Sequence, residues 1–276
     1  MILASEIRAI ALKHGIRPDV IEKDYVLSWI LSALHHNFLA KEWIFKGGTC
    51  LKKCYFGEYR FSEDLDFSLK NEADLTDTNI NRILDDVTDY VYEHCGLEIS
   101  EKRRKITVFK NLDDRLIAQV RLYYRGPISP KSPQQWPRIK LDITSGECFT
   151  DIQEVRKVYH PYSDAGEVKF ETLCYSFNEL FAEKLRAFFE RGRPRDIYDI
   201  VHCFESKLYQ FSEVQNQFVK KCNAKKIPKV KHEQIRMQLD AAKPTWEEQL
   251  HHQIPNLSSF THYEDQLTAY MDEIIK

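Results

Sequence analysis

The 276-residue sequence predicts an α+β fold, a mixed sheet with flanking helices followed by a helical C-terminal region. Three observations carry that class. Apolar residues recur at helical spacing near the start and again over residues 76–94. Short apolar stretches then read as strands between turns. From Phe177 onward the pattern is helical. This change of pattern divides the chain into a core with N-terminal helices, residues 1–174, and a helical domain, residues 175–276.

Taken in order, residues 3–14 and 18–36 form two helices, the second opened by Pro18 in its first turn. WIFKGGT is a short buried strand running into a tight glycine turn, CLKKCYF a helix, and LDFSL a second strand. The helix over 76–94 places Ile80, Ile83, Leu84, Val87 and Val91 along one face. ITVFK, LIAQVRLYY, IKLDIT and EVRKVYH follow as strands, with the proline-containing loop GPISPKSPQQWP among them. No internal repeat interrupts the order.

Composition narrows the class. Apolar content of 43% with 30% charged residues is ordinary for a soluble globular chain. A formal net charge of -2 excludes a protein that coats polyanions with its whole surface, while leaving room for local basic patches. No apolar run reaches transmembrane length. The opening MILASEIRAIALKHGI carries Glu6 and Arg8 and reads as an amphipathic helix rather than a signal peptide, so a cytoplasmic protein without membrane attachment is expected. The seven cysteines contain no CxxC pair, which argues against a disulfide framework or a zinc site. Cys50 and Cys54 share a helix face and read as neutral core thiols.

The chemistry-bearing stretch is FKGGTCLKKCYFGEYRFSEDLDFSL, residues 45–69. Side chains alternate along a strand, so Asp64 and Asp66 share one face while Leu65 and Phe67 take the other. Carboxylates this close repel each other unless a cation lies between them. Oxygen donors at that spacing suit Mg²⁺, or Mn²⁺, together with substrate phosphates. Asp142 in RIKLDIT shares its face with Lys140 and Thr144, and becomes a third ligand if its strand neighbours LDFSL. Three such carboxylates are the minimum for two-metal phosphoryl transfer. By itself, D-x-D is also a common exposed-strand pattern.

The preceding turn adds weight. Gly47 and Gly48 permit a backbone path that lets amides approach a phosphate. Thr49 offers a hydroxyl and reads as a helix N-cap beside that phosphate. Lys52, Lys53 and Arg60 supply positive charge, and Ser62 falls on the Asp64 face by the period of two.

This combination resembles the nucleotidyltransferase superfamily typified by DNA polymerase β. More closely, the chain is similar to the AbiEii/AbiGii toxin nucleotidyltransferases, the MenT-like toxin halves of bacterial toxin–antitoxin and phage-defence systems. The resemblance rests on IEKDYVLSWIL, FKGGTCLKK, RFSEDLDFSL and EKLRAFFERGRPRDIYDIVH, in that order between about residues 20 and 205. It implies a polymerase β-like core, with the C-terminal domain completing the active-site cleft. It also implies an NTP substrate and functional roles for a lysine and an aspartate at the positions of Lys184 and Asp196. Lys184 is assigned to the triphosphate, and Asp196 to orienting it or the acceptor. Read without the resemblance, Lys184 sits in the stripe Phe177, Phe181, Phe188, where it snorkels outward or faces a compensating anion. Asp196 equally suits the N-terminus of a helix opened by Pro194.

The implied activity is Mg²⁺-dependent transfer of a nucleoside monophosphate, in some family members to the 3' end of tRNA. The clusters KRRK (102–105) and KKCNAKKIPKVKH (220–232) suit a phosphate backbone or, equally, a solvated face. A cognate antitoxin is the implied protein partner. Alternatives are transfer to a protein or small-molecule hydroxyl, γ-phosphoryl transfer, or a non-catalytic nucleotide- or RNA-binding module on the same scaffold.

Overall fold

The computed structural model describes residues 1–111 and 114–274. Two helices come first, α1 (Ala4–His14) and α2 (Pro18–His36). Strand β1 (Trp43–Lys46) runs directly into α3 (Gly47–Cys50), which widens into a π-helix over Leu51–Phe56. Then come β2 (Asp64–Leu69), α4 (Asp77–Cys95), β3 (Glu98–Ile99), β4 (Lys105–Lys110), β5 (Leu116–Arg125), β6 (Arg138–Ser145), β7 (Glu154–Lys157) and β8 (Glu171–Cys174). The helical half comprises α5 (Phe177–Arg191), α6 (Pro194–Ser206), α7 (Phe211–Ala224), α8 (His232–Ala242), α9 (Trp246–Leu250) and α10 (Phe260–Ile274).

The sheet order is β3-β5-β6-β2-β1-β8-β7, with β4 also pairing β5. It is mixed, with parallel pairing of β2 with β6 and of β1 with β8 and antiparallel pairing elsewhere. Alternation sets its two faces. Leu65, Phe67, Ile139, Leu141, Ile143, Ala118, Val120 and Leu122 are all buried, while most of their sequence neighbours are polar or charged. Helix α2 is buried almost all round, from Val20 to Leu34, which marks it as a core helix rather than a surface one. It packs on α1, α4 and β8. Helix α4 is amphipathic, burying the expected Ile80, Ile83, Leu84, Val87 and Val91. The Thr76 hydroxyl caps its start by accepting from the Asn79 amide.

Three features depart from the sequence reading. EVRKVYH is a strand only as far as Lys157, because the Tyr159 amide turns to the Lys53 carbonyl at 2.6 Å. Strands β3, two residues long, and β8, four residues long, were not expected. The CLKKCYF helix is real, but its π-turn sends Lys52 and Lys53 inward, so both are almost fully buried.

Contacts cluster into two units. One comprises Met1–Glu147 and Gln153–Cys174; the other begins at Tyr175 and also takes Cys148–Ile152. Within the second, the Thr150 amide donates to Glu179 at 2.9 Å. Asp151 accepts from Ser176 at 2.6 Å and from Gln217 at 3.1 Å. Lys221 lies beside Glu179 at 3.0 Å and donates to the Cys148 carbonyl at 3.0 Å. No helix among the described residues is long and apolar enough to cross a membrane.

The first unit is pinned by a buried ion pair. Lys53 Nζ donates to Asp24 Oδ2 at 2.6 Å and to the Ser28 hydroxyl at 2.8 Å, and Tyr162 donates to the same carboxylate at 2.8 Å. Burial lowers the Lys53 ammonium to about 8, opposed by Asp24, so it stays charged at neutral pH. Burial pushes the Asp24 carboxyl up, but Lys53 and then Lys52 outweigh it and hold it below 3.8. A carboxyl depressed by folding contributes stability above its unfolded value, and that contribution is lost as pH falls through the folded one. Lys53→Met should therefore cost about 3–5 kcal/mol in urea unfolding at pH 7. Asp24→Asn with Lys53→Met should recover much of that loss and flatten the acid limb of the stability curve.

Candidate active site

Register brings the acids together. In the parallel β2–β6 pair, Asp66 lies opposite Asp142 and Asp64 opposite Lys140. Lys46 of β1 lies opposite Asp66, and Gln119 of β5 opposite Asp142. A polar row, Lys46–Asp66–Asp142–Gln119, thus crosses four strands, with Asp64 and Lys140 two residues along on the same face. The three predicted carboxylates share this face and are all half-buried.

Lys140, expected on the Asp142 face by alternation but given no role there, is part of the site. Its ammonium pairs with Asp142 Oδ2 at 2.5 Å. Asp142 Oδ1 is buried without a hydrogen-bond partner. Lys46, in the row itself, lies 3.5 Å from Glu147, and Arg121 of β5 lies opposite Lys140.

The glycines serve this face in a way the sequence did not reveal. Gly47 has φ +85°, and a Cβ there would lie 2.4 Å from Asp66 Oδ2 and 3.2 Å from Asp66 Cβ. A Cβ on Gly48 would lie 2.5 Å from an Arg60 guanidinium nitrogen. The turn is glycine-rich first because the chain's own carboxylate and guanidinium pack against its backbone.

Thr49 is not the N-cap. Lys46 holds that position, and Thr49 lies one turn in, fully buried. Its hydroxyl makes short contacts to the Asp64 carbonyl at 2.5 Å and the Ser62 oxygen at 2.7 Å, fixing the start of β2. Ser62 precedes the strand, so the period of two does not apply to it. Lys52 donates to the carbonyls of Gly57 at 3.2 Å and Tyr59 at 3.4 Å and lies over the Phe61 ring. Its ammonium is thus occupied by the loop before β2. Arg60 is buried beside Gly48 and donates to the Phe61 carbonyl at 3.3 Å.

In the second unit, α5 and α6 hold a charged cluster. Lys184 Nζ lies 2.7 Å from Asp199 and 3.8 Å from Asp196, and all three are buried. Arg191 grips Asp196 through two nitrogens, at 2.9 and 3.0 Å. Asp196 does sit in the first turn of a helix opened by Pro194. Lys184 does not snorkel; carboxylates of the protein itself compensate it. Asp199 was overlooked, although its spacing of three from Asp196 puts both on one helix face.

The carboxylate face is a hard-oxygen donor set, and the orphaned Asp142 oxygen fits a missing hard cation. Comparison with known proteins accords with this chemistry. A model of the nucleotidyl transferase AbiEii toxin family, type IV toxin–antitoxin system, matches residues 29–271. The chain belongs to the AbiEii family. It is therefore a nucleotidyltransferase toxin of the type IV toxin–antitoxin class, a family that implies an NTP, a divalent metal and an antitoxin. The fold is similar to that of MenT4, a nucleotidyltransferase toxin from Mycobacterium tuberculosis, with TM-score 0.71, 18% identity, and coverage of 99% of this chain and 90% of that one. No curated protein gives a significant sequence match.

For this AbiEii chain, Gly47→Ala is expected to lose about 1–2 kcal/mol through its left-handed backbone alone. Because the new methyl also displaces Asp66, transferase activity should fall more than the melting temperature indicates. Lys184→Met should cost about 3–5 kcal/mol by removing the ammonium between two buried carboxylates, read by urea unfolding.

Proposed function

We propose that the chain transfers a nucleoside monophosphate from an NTP to the 3' end of an RNA, with tRNA the acceptor by family resemblance. The observation that supports this above all is the pairing of Asp66 with Asp142 across β2 and β6, beside Asp64 and behind a glycine turn. Asp64, Asp66 and Asp142 would hold Mg²⁺ or Mn²⁺, which when bound neutralises phosphate charge and activates the attacking oxygen.

The chain's own groups do the remaining work. Amides of the Gly47–Gly48–Thr49 turn have no acceptors within their helix and are available to the NTP phosphates. Thr49 acts indirectly, by fixing Asp64. The acceptor hydroxyl is deprotonated near Asp142, its proton passing to solvent; the hydroxyl oxygen bonds to the α-phosphorus, the bond from the α-phosphorus to the bridging oxygen breaks, and pyrophosphate leaves. Lys184 and Asp196 are proposed as functional residues on the strength of the family resemblance.

For the RNA, Lys220, Lys226, Lys229 and Lys231 are exposed and suit a phosphate backbone. Lys221 does not join them, because it is buried with Glu179. In the KRRK cluster, Arg104 is bound to Asp85 at 2.6 Å and Arg103 lies over the Tyr123 ring, so only part of that charge is free for a ligand.

The test is incubation with each α-labelled and γ-labelled NTP, total RNA and Mg²⁺, with and without EDTA. Label from the α-phosphate alone should appear in tRNA-sized RNA and vanish with EDTA. Asp66→Ala and Asp142→Ala should each lower it by more than about 100-fold with the fold retained. Label in protein, or transfer of the γ-phosphate, would sink the reading.

A further inference from the structure

Away from the carboxylate face, three cysteines meet at one point in the first unit. Cys50 and Cys54 lie one turn apart on the helical run that begins at Gly47, and Cys174 ends β8 opposite Phe45 of β1. All three are buried, and their sulfurs lie within 4.8 Å of one another. Among the described residues no other such group of histidine, cysteine or carboxylate ligands occurs. The sequence reading saw Cys50 and Cys54 only as core thiols, because Cys174 is over a hundred positions away.

A purely apolar role explains three buried thiols one by one, but not their surroundings. Arg156 Nε donates to the Cys54 carbonyl at 3.0 Å, and its guanidinium stacks on the Tyr55 ring at 4.2 Å. A guanidinium, itself paired with Glu154 at 3.0 Å, therefore lies beside the turn that carries two of the sulfurs.

We propose that Cys50, Cys54 and Cys174 form a binding site for one thiophilic d¹⁰ cation, zinc(II) or copper(I). With metal–sulfur bonds of about 2.3 Å, three sulfurs around one centre lie about 4 Å apart. The cluster needs to contract by less than about 1 Å to reach that spacing. Binding displaces the three thiol protons to solvent. Zinc(II) then leaves one net negative charge, close to the Arg156–Glu154 ion pair. Copper(I) leaves two, but accepts three sulfur ligands more readily than zinc, which in structural sites takes four ligands. Either ion would clamp the helical run carrying Gly47–Thr49 to β8, adding stability only to the folded state.

The experiment uses the full-length chain, reduced and stripped of metal, titrated separately with Zn²⁺, Cd²⁺ and copper(I). One equivalent of Cd²⁺ should produce thiolate-to-metal charge-transfer absorption, and native mass spectrometry should show whether zinc or copper is retained. Cys54→Ser should weaken binding more than about tenfold, and Cys95→Ser and Cys222→Ser should not. No stoichiometric binding by the wild-type chain overturns the proposal, as does binding unchanged in Cys54→Ser. Should that variant not fold, X-ray absorption of the zinc-loaded wild type decides: three sulfur ligands support the site, and nitrogen–oxygen ligation refutes it.

Discussion

The parallel pairing of β2 with β6 in one register is the constraint on which the rest depends. A slip of one residue would turn Leu141 toward Asp66 and drive Asp142 into the apolar layer, so site and core are specified together. The register is held from both sides. Leu65, Phe67, Leu141 and Ile143 lock the buried face, while the Thr49 hydroxyl ties the first residue of β2 to the helical run beneath it. Neither strand is a free edge, because β1 and β5 flank them.

Much of the positive charge close to the acids in sequence is committed to architecture. Lys53 is enclosed by α2 through Asp24 and Ser28, Lys52 closes the loop before β2, and Arg60 lies against Gly48. The charges that reach the acidic face come instead from strand positions, Lys46, Lys140 and Arg121. This division follows from the two periodicities. A π-turn rotates consecutive lysines into the interior, whereas a strand delivers every second residue to the same surface.

Those periodicities also account for what could be read without coordinates. The class, the long helices and the common face of Asp64 and Asp66 were legible because they depend on local spacing. Asp142 could be named as a ligand only on the condition that its strand adjoined LDFSL, since strand neighbours are not encoded locally. Thr49 was misplaced by one turn because a cap is defined by backbone angles that Gly47 at positive φ makes unusual. Lys52 was assigned to the nucleotide and Lys221 to a basic cluster because composition does not say which lysines find carboxylates or carbonyls inside. Cys174 was missed because its partnership is long-range; Asp199 was overlooked although its spacing of three from Asp196 is local.

The short segment Cys148–Ile152 gives the helical unit a dependence on the middle of the chain. Asp151 and the Thr150 amide supply partners to Ser176, Gln217 and Glu179, so part of this unit's polar interior is delivered some 25 residues ahead of its first helix. Two strands of the sheet, β7 and β8, are then made before that helix begins. The two units are consequently interleaved in sequence, and recombination at a single crossover between 174 and 175 would part the helices from partners they already use. A lineage exchanging its C-terminal half would have to carry the five residues as well, which favours inheritance of the whole chain as one piece.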